Sequence, residues 1–280
     1  MKQPEKWRET IDPFSLKFNR FELSRVLGYP HAGNDVFYVE GLAVGRCVRA
    51  FLKVERHSGA DVPNEVRILR QLDFPFVPAI IDFSLDAPRY LLTEEKPGER
   101  LSVLVGENEA LESQRYLAQY GEALAAFHRL NLDCGPVKDR KFFHLSPKLY
   151  FEQKDLLDVY SFLESHRPEP GEPCFVHGDF HYANVLWDGG QISAVLDYEL
   201  SGLGNREFDI AWACFLRPGQ KFLDTWAEVA LFLEGYSRGG VFDLDAFIYY
   251  YVLIGSWLYA IGGDEPGYQQ KVRALLAPLI

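Results

Sequence analysis

The sequence has no excess of positive charge, and this limits the kinds of partner that the protein can bind. Its 280 residues include 29 Lys and Arg against 40 Asp and Glu, a formal net charge of −11. A nucleic-acid-binding protein needs a basic face, so nucleic acid is not expected as a partner. Residues 1–97 carry 14 basic and 14 acidic residues, whereas residues 98–280 carry 15 and 26. An acidic cleft in the second part would attract a cationic ligand, although acidity that serves only solubility accounts for the same counts.

The sequence also lacks paired cysteines. Cys47, Cys134, Cys174 and Cys214 are scattered without CxxC spacing, which argues against a zinc site and against a disulfide framework. We expect four small, buried, apolar side chains in a reducing compartment, and hence a cytoplasmic protein.

No segment has the pattern of a signal peptide or of a membrane span. Residues 1–12 are charged and lack the apolar core of a secretory signal. The longest apolar run, residues 246–261, is short for a bilayer and contains four tyrosines, Gly255 and Ser256. We therefore predict a buried helix there and no membrane contact.

The residues that can carry chemistry are concentrated between residues 175 and 187, which read FVHGDFHYANVLW. The polar groups follow the pattern H-x-D-x-x-x-x-N, formed by His177, Asp179 and Asn184, and Asp197 comes soon after. Protein-kinase catalytic loops have this spacing, with an Asp that accepts a hydroxyl proton, an Asn that holds a metal, and a later metal-binding Asp. An isolated Asp or Asn is more often a capping residue, but this combination favours a catalytic loop.

A predicted hairpin explains how the three oxygen-bearing side chains can meet. Residues 185–187 are an apolar run, residues 188–190 read DGG, and the next strand alternates. Asp179, Asn184 and Asp197 can then converge on one small volume. Because Mg²⁺ prefers hard oxygen ligands and keeps waters and phosphates as its others, one Asn and one Asp suffice to hold it. Asp179 would remain to orient and deprotonate an alcohol.

At these residues the chain resembles the aminoglycoside phosphotransferase and choline kinase family, small-molecule kinases with a protein-kinase-like fold. The resemblance is carried by His177-Gly178-Asp179, with Gly where protein kinases have Arg, and by Asp209-Ile210-Ala211. It implies a bilobal α+β fold, with a five-stranded antiparallel sheet and one helix in a small N-terminal lobe and a larger, mostly helical C-terminal lobe. The expected divisions are residues 1–93 for the nucleotide-binding lobe, 94–98 for a hinge, and 99–280 for the catalytic and acceptor-binding lobe.

The resemblance also implies roles for polar residues around the loop. His177 is expected to brace the loop through hydrogen bonds, instead of competing with Asp179 as a base. Asp209 is expected to bind the backbone of the catalytic loop. His181 would face substrate or phosphate, and Glu199 would add an acceptor near the metal or touch substrate; the sequence leaves both open.

In the N-terminal part, Lys53 and Glu65 match the pair that grips the α- and β-phosphates in kinases. Lys53 alternates with Phe51 in a strand predicted at residues 49–54. Glu65 lies in a run with helical spacing at residues 65–72, and Pro63 just before it fits a helix start. The alternatives are a solvent-exposed strand lysine and a glutamate that only complements the helix dipole.

The remaining nucleotide-site expectations concern a loop at residues 28–34 and the hinge. Gly33 and Asn34 would cover phosphates with backbone N–H groups. The loop lacks GxGxxG, however, and an ordinary hairpin loop is equally consistent with it. Glu94 and Lys96 are candidates by position only, because backbone groups of a hinge would bond the adenine edge.

Together these features predict a kinase that uses ATP (or GTP) and Mg²⁺ to phosphorylate a hydroxyl of a small molecule, with no protein partner evident. The absence of DFG and APE triplets argues against a protein kinase. The acidic C-terminal part makes an aminoglycoside-like antibiotic the leading acceptor, and a metabolic alcohol (a sugar, amino alcohol or amino acid) the alternative. A kinase-like protein that binds without catalysis is less favoured, because it should lack at least one of Lys53, Asp179, Asn184 and Asp197.

Overall fold

The computed structural model describes residues 10–30, 33–56, 59–106, 110–263 and 265–280. For residues 110–112 the description covers the backbone only. Two residues of the expected phosphate-covering loop, at positions 31 and 32, lie outside them. The chain forms two compact units, Met1–Gly98 with Ser193–Ser201, and Glu99–Ile192 with Gly202–Ile280. A single division at residues 94–98 does not account for residues 193–201. They return to the first unit, where the N–H of Val195 donates to the carbonyl of Phe76 at 2.8 Å.

The first unit is built on a five-stranded antiparallel sheet, as predicted. Its strands are β1 (Phe21–Gly28), β2 (Asp35–Ala43), β3 (Arg46–Val54), β4 (Ile80–Ser84) and β5 (Tyr90–Glu94), in the spatial order β1-β2-β3-β5-β4. Successive side chains of a strand point to opposite faces. Phe37 and Val39 of β2 and Leu52 of β3 are buried in the core on one face, so Phe51 and Lys53 lie on the other.

Strand β4 begins later than the sequence pattern indicates. Residues 76–82 read FVPAIID, an apolar run that favours a strand from residue 76, but the N–H of Val77 donates to the carbonyl of Phe74 in a turn. Pro78 has no N–H to give to a ladder. Pairing with β5 therefore starts only at Ile80.

The helix that carries Glu65 is present, and Pro63 lies in its first turn, as expected. Helix α1 (Val62–Leu69) has Asp61 as its N-cap, whose side chain accepts the N–H of Asn64 at 3.0 Å. Capping satisfies one of the free N–H groups at the helix start. Glu65 consequently lies in the first turn, and its side chain is buried.

The second unit is mostly helical, as predicted. Its helices are α2 (Leu101–Leu104), α3 (Ala110–His128), α4 (Lys148–Gln153), α5 (Leu157–Ser165), α6 (Arg206–Cys214), α7 (Trp226–Ser237), α8 (Leu244–Ile261) and α9 (Tyr268–Leu276). The short strands are β6 (Glu99–Arg100), β7 (Cys174–Val176), β8 (Val185–Asp188), β9 (Gln191–Val195), which ends in the first unit, and β10 (Gly202–Gly204). Helices α3 and α7 approach closely because Gly235 has no side chain; a Cβ there would collide with the carbonyl of Ala118.

Helix α8 is the apolar run singled out in the sequence. Among the described residues it is the one helix whose length and composition would allow it to cross a membrane. More than half of the run is buried inside the protein, including Tyr251, Val252 and Ile254, which are fully covered. The expected buried helix is confirmed.

The expectation for the cysteines was wrong in part. Of the four cysteines, only Cys214 is buried. Cys134 and Cys174 are half-buried and Cys47, near the start of β3, is exposed.

Candidate active site

The loop that carries the H-x-D-x-x-x-x-N pattern leaves β7 through Gly178. This residue has φ +81°, a left-handed conformation that residues with a side chain rarely adopt. Its N–H donates to Asp209 Oδ1 at 3.0 Å, and its carbonyl accepts a hydrogen bond from Arg140 at 2.7 Å. The backbone therefore requires a glycine immediately before Asp179.

Asp209, near the start of α6, holds the beginning of the loop by its backbone. Its buried carboxylate accepts the N–H of His177 at 2.9 Å as well as that of Gly178. His128 Nε2 lies 3.2 Å from Asp209 Oδ2, and the Tyr236 hydroxyl lies 2.8 Å from His128 Nδ1. Because this one carboxylate accepts two successive backbone N–H groups, α6 fixes the path of the chain into Asp179.

His177 has no exposed surface, and its Nδ1 accepts the N–H of Asp179 at 3.3 Å. The imidazole packs edge-on against Phe127 and Phe180. A buried ring held in this way suits the expected bracing role better than that of a base that meets substrate.

The two carboxylate oxygens of Asp179 have different surroundings. Oδ1 accepts a hydrogen bond from the indole Nε1 of Trp212 at 2.8 Å. Oδ2 lies 3.3 Å from Asn184 Nδ2 and 3.5 Å from His181 Nε2. Burial raises the pKa of Asp179, but the hydrogen bond and charge of His181, the charge of Arg217 and the Trp212 hydrogen bond outweigh burial and hold this pKa well below its usual range. The carboxylate is ionised at neutral pH, as a base must be.

Asn184 uses its amide nitrogen on Asp179, so its amide oxygen is available for another partner. Nδ2 donates to the backbone carbonyl of Asp179 at 3.0 Å in addition to its carboxylate. His181 Nδ1 accepts the N–H of Ala183 at 3.2 Å, so the Nε2 edge of the ring faces Asp179. An amide oxygen is a hard ligand of the kind that Mg²⁺ prefers.

In the first unit, Lys53 lies among three carboxylates. Its Nζ is 2.7 Å from Glu65 Oε2, 2.6 Å from Asp197 Oδ1 and 3.9 Å from Glu199 Oε2. Burial would lower the pKa of Lys53, but the three negative charges raise it above its usual range. Burial also raises the pKa of Glu65, against the opposing effect of Lys53. The expected contact between Lys53 and Glu65 is thus present, and Asp197 joins it.

Asp197 lies in a strained conformation at the centre of this group. Its φ of +69° is uncommon for a residue other than glycine, and such strain is concentrated at functional sites. Ligand atoms of Glu65, Asp197 and Glu199 lie within 4.8 Å of one another. Because these are hard oxygen donors around a small volume, their chemistry fits Mg²⁺.

Glu199 is held from two sides. Its Oε2 accepts from Asn34 Nδ2 at 2.8 Å, and its backbone carbonyl accepts from Asn64 Nδ2 at 3.1 Å. Asn34 is buried, and its Oδ1 accepts the N–H of Arg56 at 3.3 Å. Gly33 beside it has φ +90°. The Asn34 side chain therefore supports Glu199, a use that the sequence pattern did not indicate.

The two hinge candidates bind to each other and to the neighbouring strand. Lys96 Nζ lies 2.7 Å from Glu94 Oε1 and donates to the carbonyl of Pro75 at 3.0 Å. Glu94 Oε1 also accepts the N–H of Ala79 at 3.1 Å. Both side chains are thus paired within the first unit, and their nucleotide-binding role stays a prediction.

The structure gathers the predicted residues into two groups, one in each unit. His177, Asp179, His181, Asn184 and Asp209 lie in the second unit, and Gly33, Asn34, Lys53, Glu65, Glu94, Lys96, Asp197 and Glu199 lie in the first. Convergence of Asp179 and Asn184 with Asp197 stays a prediction. Sequence reasoning missed Trp212 and Arg140; the only available signal was that Trp212 falls three residues after Asp209, on the same side of a helix.

Comparison with known proteins identifies the class to which this fold and these residues belong. The model of the phosphotransferase enzyme family, APH, matches residues 28–246. The chain belongs to this family. The resemblance seen in the sequence, the kinase-like α+β fold and the expectation of a phosphotransferase are thereby confirmed.

Individual relatives are more distant. An aminoglycoside 3'-phosphotransferase of Niallia circulans is 26% identical over 272 residues, covering 88% of this chain and 94% of the relative. A homoserine kinase of Methylobacillus glycogenes is 25% identical over 230 residues, covering 77% and 71%.

Among solved structures, an aminoglycoside phosphotransferase APH(4)-Ia mutant in ternary complex with ADP and hygromycin B has a TM-score of 0.61 at 16% identity, covering 91% and 94% of the two chains. The macrolide 2'-phosphotransferase MphH of Brachybacterium faecium has a TM-score of 0.55 at 16% identity, covering 94% and 95%. At these identities the structures establish the shared fold alone.

Proposed function

We propose that the protein transfers the terminal phosphate of ATP (or GTP) to a hydroxyl of an aminoglycoside-like antibiotic, in the cytoplasm. The observation that carries the proposal is the state of Asp179. It is an ionised carboxylate with one oxygen bound by Trp212, on a loop whose spacing is that of kinase catalytic loops. In this role Asp179 orients the acceptor hydroxyl and takes its proton.

Asn184 and Asp197 would hold Mg²⁺, which when bound neutralises negative charge on the phosphates. The amide oxygen of Asn184 and the carboxylate of Asp197 supply the hard donors. Glu199, supported by Asn34, would add an acceptor near the metal. Lys53 would neutralise charge on the α- and β-phosphates, held in place by Glu65.

An aromatic pair beside Lys53 supports nucleotide binding in the first unit. Phe51 of β3 stands opposite Tyr38 of β2, and the next pair on that face is Lys53 with Val36. The rings of Phe51 and Tyr38 are stacked, with centroids 5.0 Å apart. They offer a flat apolar surface on the face that carries the phosphate-binding lysine, suited to a purine base.

The acceptor is proposed from the relatives. Similarity to an aminoglycoside 3'-phosphotransferase extends over 88% of the chain. The excess of acidic over basic residues between positions 98 and 280 suits a polycationic acceptor. A hydroxy amino acid is the second candidate, favoured by the match to a homoserine kinase over 77% of the chain. A non-catalytic binding protein is disfavoured, because Lys53, Asp179, Asn184 and Asp197 are all present.

The test is phosphate transfer from radiolabelled ATP, with and without Mg²⁺, to a panel containing kanamycin A, hygromycin B, L-homoserine, choline and a sugar. We expect Mg²⁺-dependent labelling of an aminoglycoside. Labelling of homoserine alone would show that a hydroxy amino acid, and not an aminoglycoside, is the acceptor. A protein that shows a thermal shift with MgATP but labels nothing would support the non-catalytic alternative.

A further inference from the structure

We propose that Trp212 is a positioning residue that determines which oxygen of Asp179 takes the proton of the acceptor hydroxyl. The inference rests on the proposed function. Trp212 Nε1 donates to Oδ1 at 2.8 Å, so Oδ2 becomes the basic oxygen. In the transfer step the acceptor oxygen bonds to the terminal phosphorus, the bond to the leaving nucleoside diphosphate breaks, and the hydroxyl proton moves to Oδ2.

The hydrogen bonds of Asp179 make the two oxygens chemically unequal. Oδ1 has a short, well-defined donor, which removes electron density from it and lowers its basicity. Among the described residues, Asn184 and His181 have nitrogens 3.3 Å and 3.5 Å from Oδ2. These longer contacts are displaced more easily than the indole N–H on Oδ1, so an incoming O–H group can reach Oδ2.

The indole is itself held firmly. Its residue is 7% exposed, and the guanidinium carbons of Arg217 and Arg140 lie 4.4 Å and 5.4 Å from the ring centroid. Arg217 also donates to the backbone carbonyl of Trp212 at 2.8 Å. Phe208 stacks on the same ring, with an interplanar angle of 17°. A donor enclosed in this way cannot move off Oδ1 without disturbing several neighbours.

Arg140 connects this arrangement to the loop backbone. Its guanidinium lies over Trp212 and over Phe143, at 4.8 Å from the Phe143 centroid, and donates to the carbonyl of Gly178 at 2.7 Å. One side chain thus contacts both the residue that precedes Asp179 and the indole that binds its carboxylate. Helix α6 adds a second connection, because Asp209 and Trp212 are three residues apart on it.

The substitution Trp212→Phe separates two roles of the indole, namely filling space in the core and donating a hydrogen bond to Asp179. Phenylalanine keeps an aromatic ring for the two arginines but lacks the N–H. The matched control is Trp226→Phe, because Trp226 Nε1 donates to the carbonyl of Leu275 at 2.9 Å and not to a residue of the site. Both variants lose one indole hydrogen bond.

The kinetic arm measures kcat and the nucleotide KM with kanamycin A and, separately, with L-homoserine. For Trp212→Phe we expect kcat to fall about 10- to 100-fold, the range for loss of one hydrogen bond to a charged group, with the nucleotide KM unchanged within twofold. The kcat of Trp226→Phe should stay within about twofold of the wild-type kcat. A folded Trp212→Phe enzyme with more than half of the wild-type kcat would overturn the inference. Wild-type protein that phosphorylates neither acceptor would instead count against the proposed acceptors.

A spectroscopic arm needs neither turnover nor a change at Trp212. The five tryptophans can each give one indole N–H signal in a ¹H–¹⁵N spectrum, assigned by standard triple-resonance experiments. In Asp179→Asn the signal of Trp212 should move upfield, because a hydrogen bond to a carboxylate is replaced by a weaker one to an amide. The signal of Trp226 should stay in place. A Trp212 signal that does not move in a folded Asp179→Asn protein would overturn the inference.

Discussion

Lys53 Nζ lies 2.6 Å from Asp197 Oδ1, although 144 residues separate the two in the chain. The same ammonium lies 2.7 Å from Glu65 Oε2. One positive charge therefore pairs with two carboxylates, the buried Glu65 and the half-buried Asp197. This contact is one of several that join residues 193–201 to the first unit. It also brings the expected phosphate-binding lysine and the expected metal-binding aspartate together.

Removing the cation should destabilise the protein. In Lys53→Met, Glu65 becomes a buried charge without its partner, and breaking such a pair costs about 3–5 kcal/mol. We expect urea denaturation at pH 7.5 to show this loss. The double variant Lys53→Met/Glu65→Gln should recover part of it, because it removes the uncompensated charge. Strictly additive losses would show that the two side chains are not coupled.

The left-handed glycine before Asp179 gives a second prediction. In Gly178→Ala, with φ +81°, the methyl group should cost about 1–2 kcal/mol of stability and lower kcat roughly 10-fold by displacing Asp179. Gly189→Ala is the control, since Gly189 has φ +55° in a turn with no atom near the added Cβ. It should lose similar stability and keep its kcat. Equal kcat in the two variants would contradict a special role for Gly178.

The low pKa of Asp179 predicts how activity depends on pH. A carboxylate whose pKa is lowered stays ionised as the pH falls. Burial opposes the lowering of the Asp179 pKa, and the hydrogen bond and charge of His181 favour it most strongly. In His181→Ala the pKa of Asp179 should rise toward its ordinary value. The acid limb of the kcat–pH profile, measured at saturating MgATP from about pH 3 to 8, should then move to higher pH, toward the ordinary aspartate pKa of about 3.9. A limb that moves to lower pH would exclude this electrostatic role.

The stacked pair of the first unit predicts an effect on nucleotide affinity alone. Phe51→Ala should raise the KM for ATP about 2- to 10-fold, the range expected for loss of one aromatic stacking partner, with little change in kcat. Phe14→Ala, at a side chain that is 56% exposed, is the control. An unchanged KM in Phe51→Ala would place the base elsewhere.

The sequence predicted those parts of the site that depend on local spacing. His177, Asp179 and Asn184 lie within one short loop, and strand alternation put Phe51 and Lys53 on one face. The contact of Lys53 with Glu65 joins neighbouring elements, so helix and strand patterns sufficed to suggest it.

Contacts between distant segments were beyond such reasoning. Trp212 meets Asp179 across 33 residues and Arg140 meets Gly178 across 38, and nothing local marks either pair. Asn34 was expected to matter through its backbone, but its side chain binds Glu199, 165 residues away. Such pairings depend on how helices and loops pack, which periodicity does not specify.

The central claim is that Asp179 is the base of a Mg²⁺-dependent phosphate transfer, and Asp179→Asn tests it most directly. Asparagine keeps the shape of the side chain but cannot take the proton. The measurement is the rate of phosphate transfer from MgATP to the acceptor that the wild type labels, together with MgATP binding by calorimetry. The account predicts unchanged nucleotide affinity and a rate lower by about two to four powers of ten. Turnover near the wild-type rate in a folded Asp179→Asn protein would contradict it.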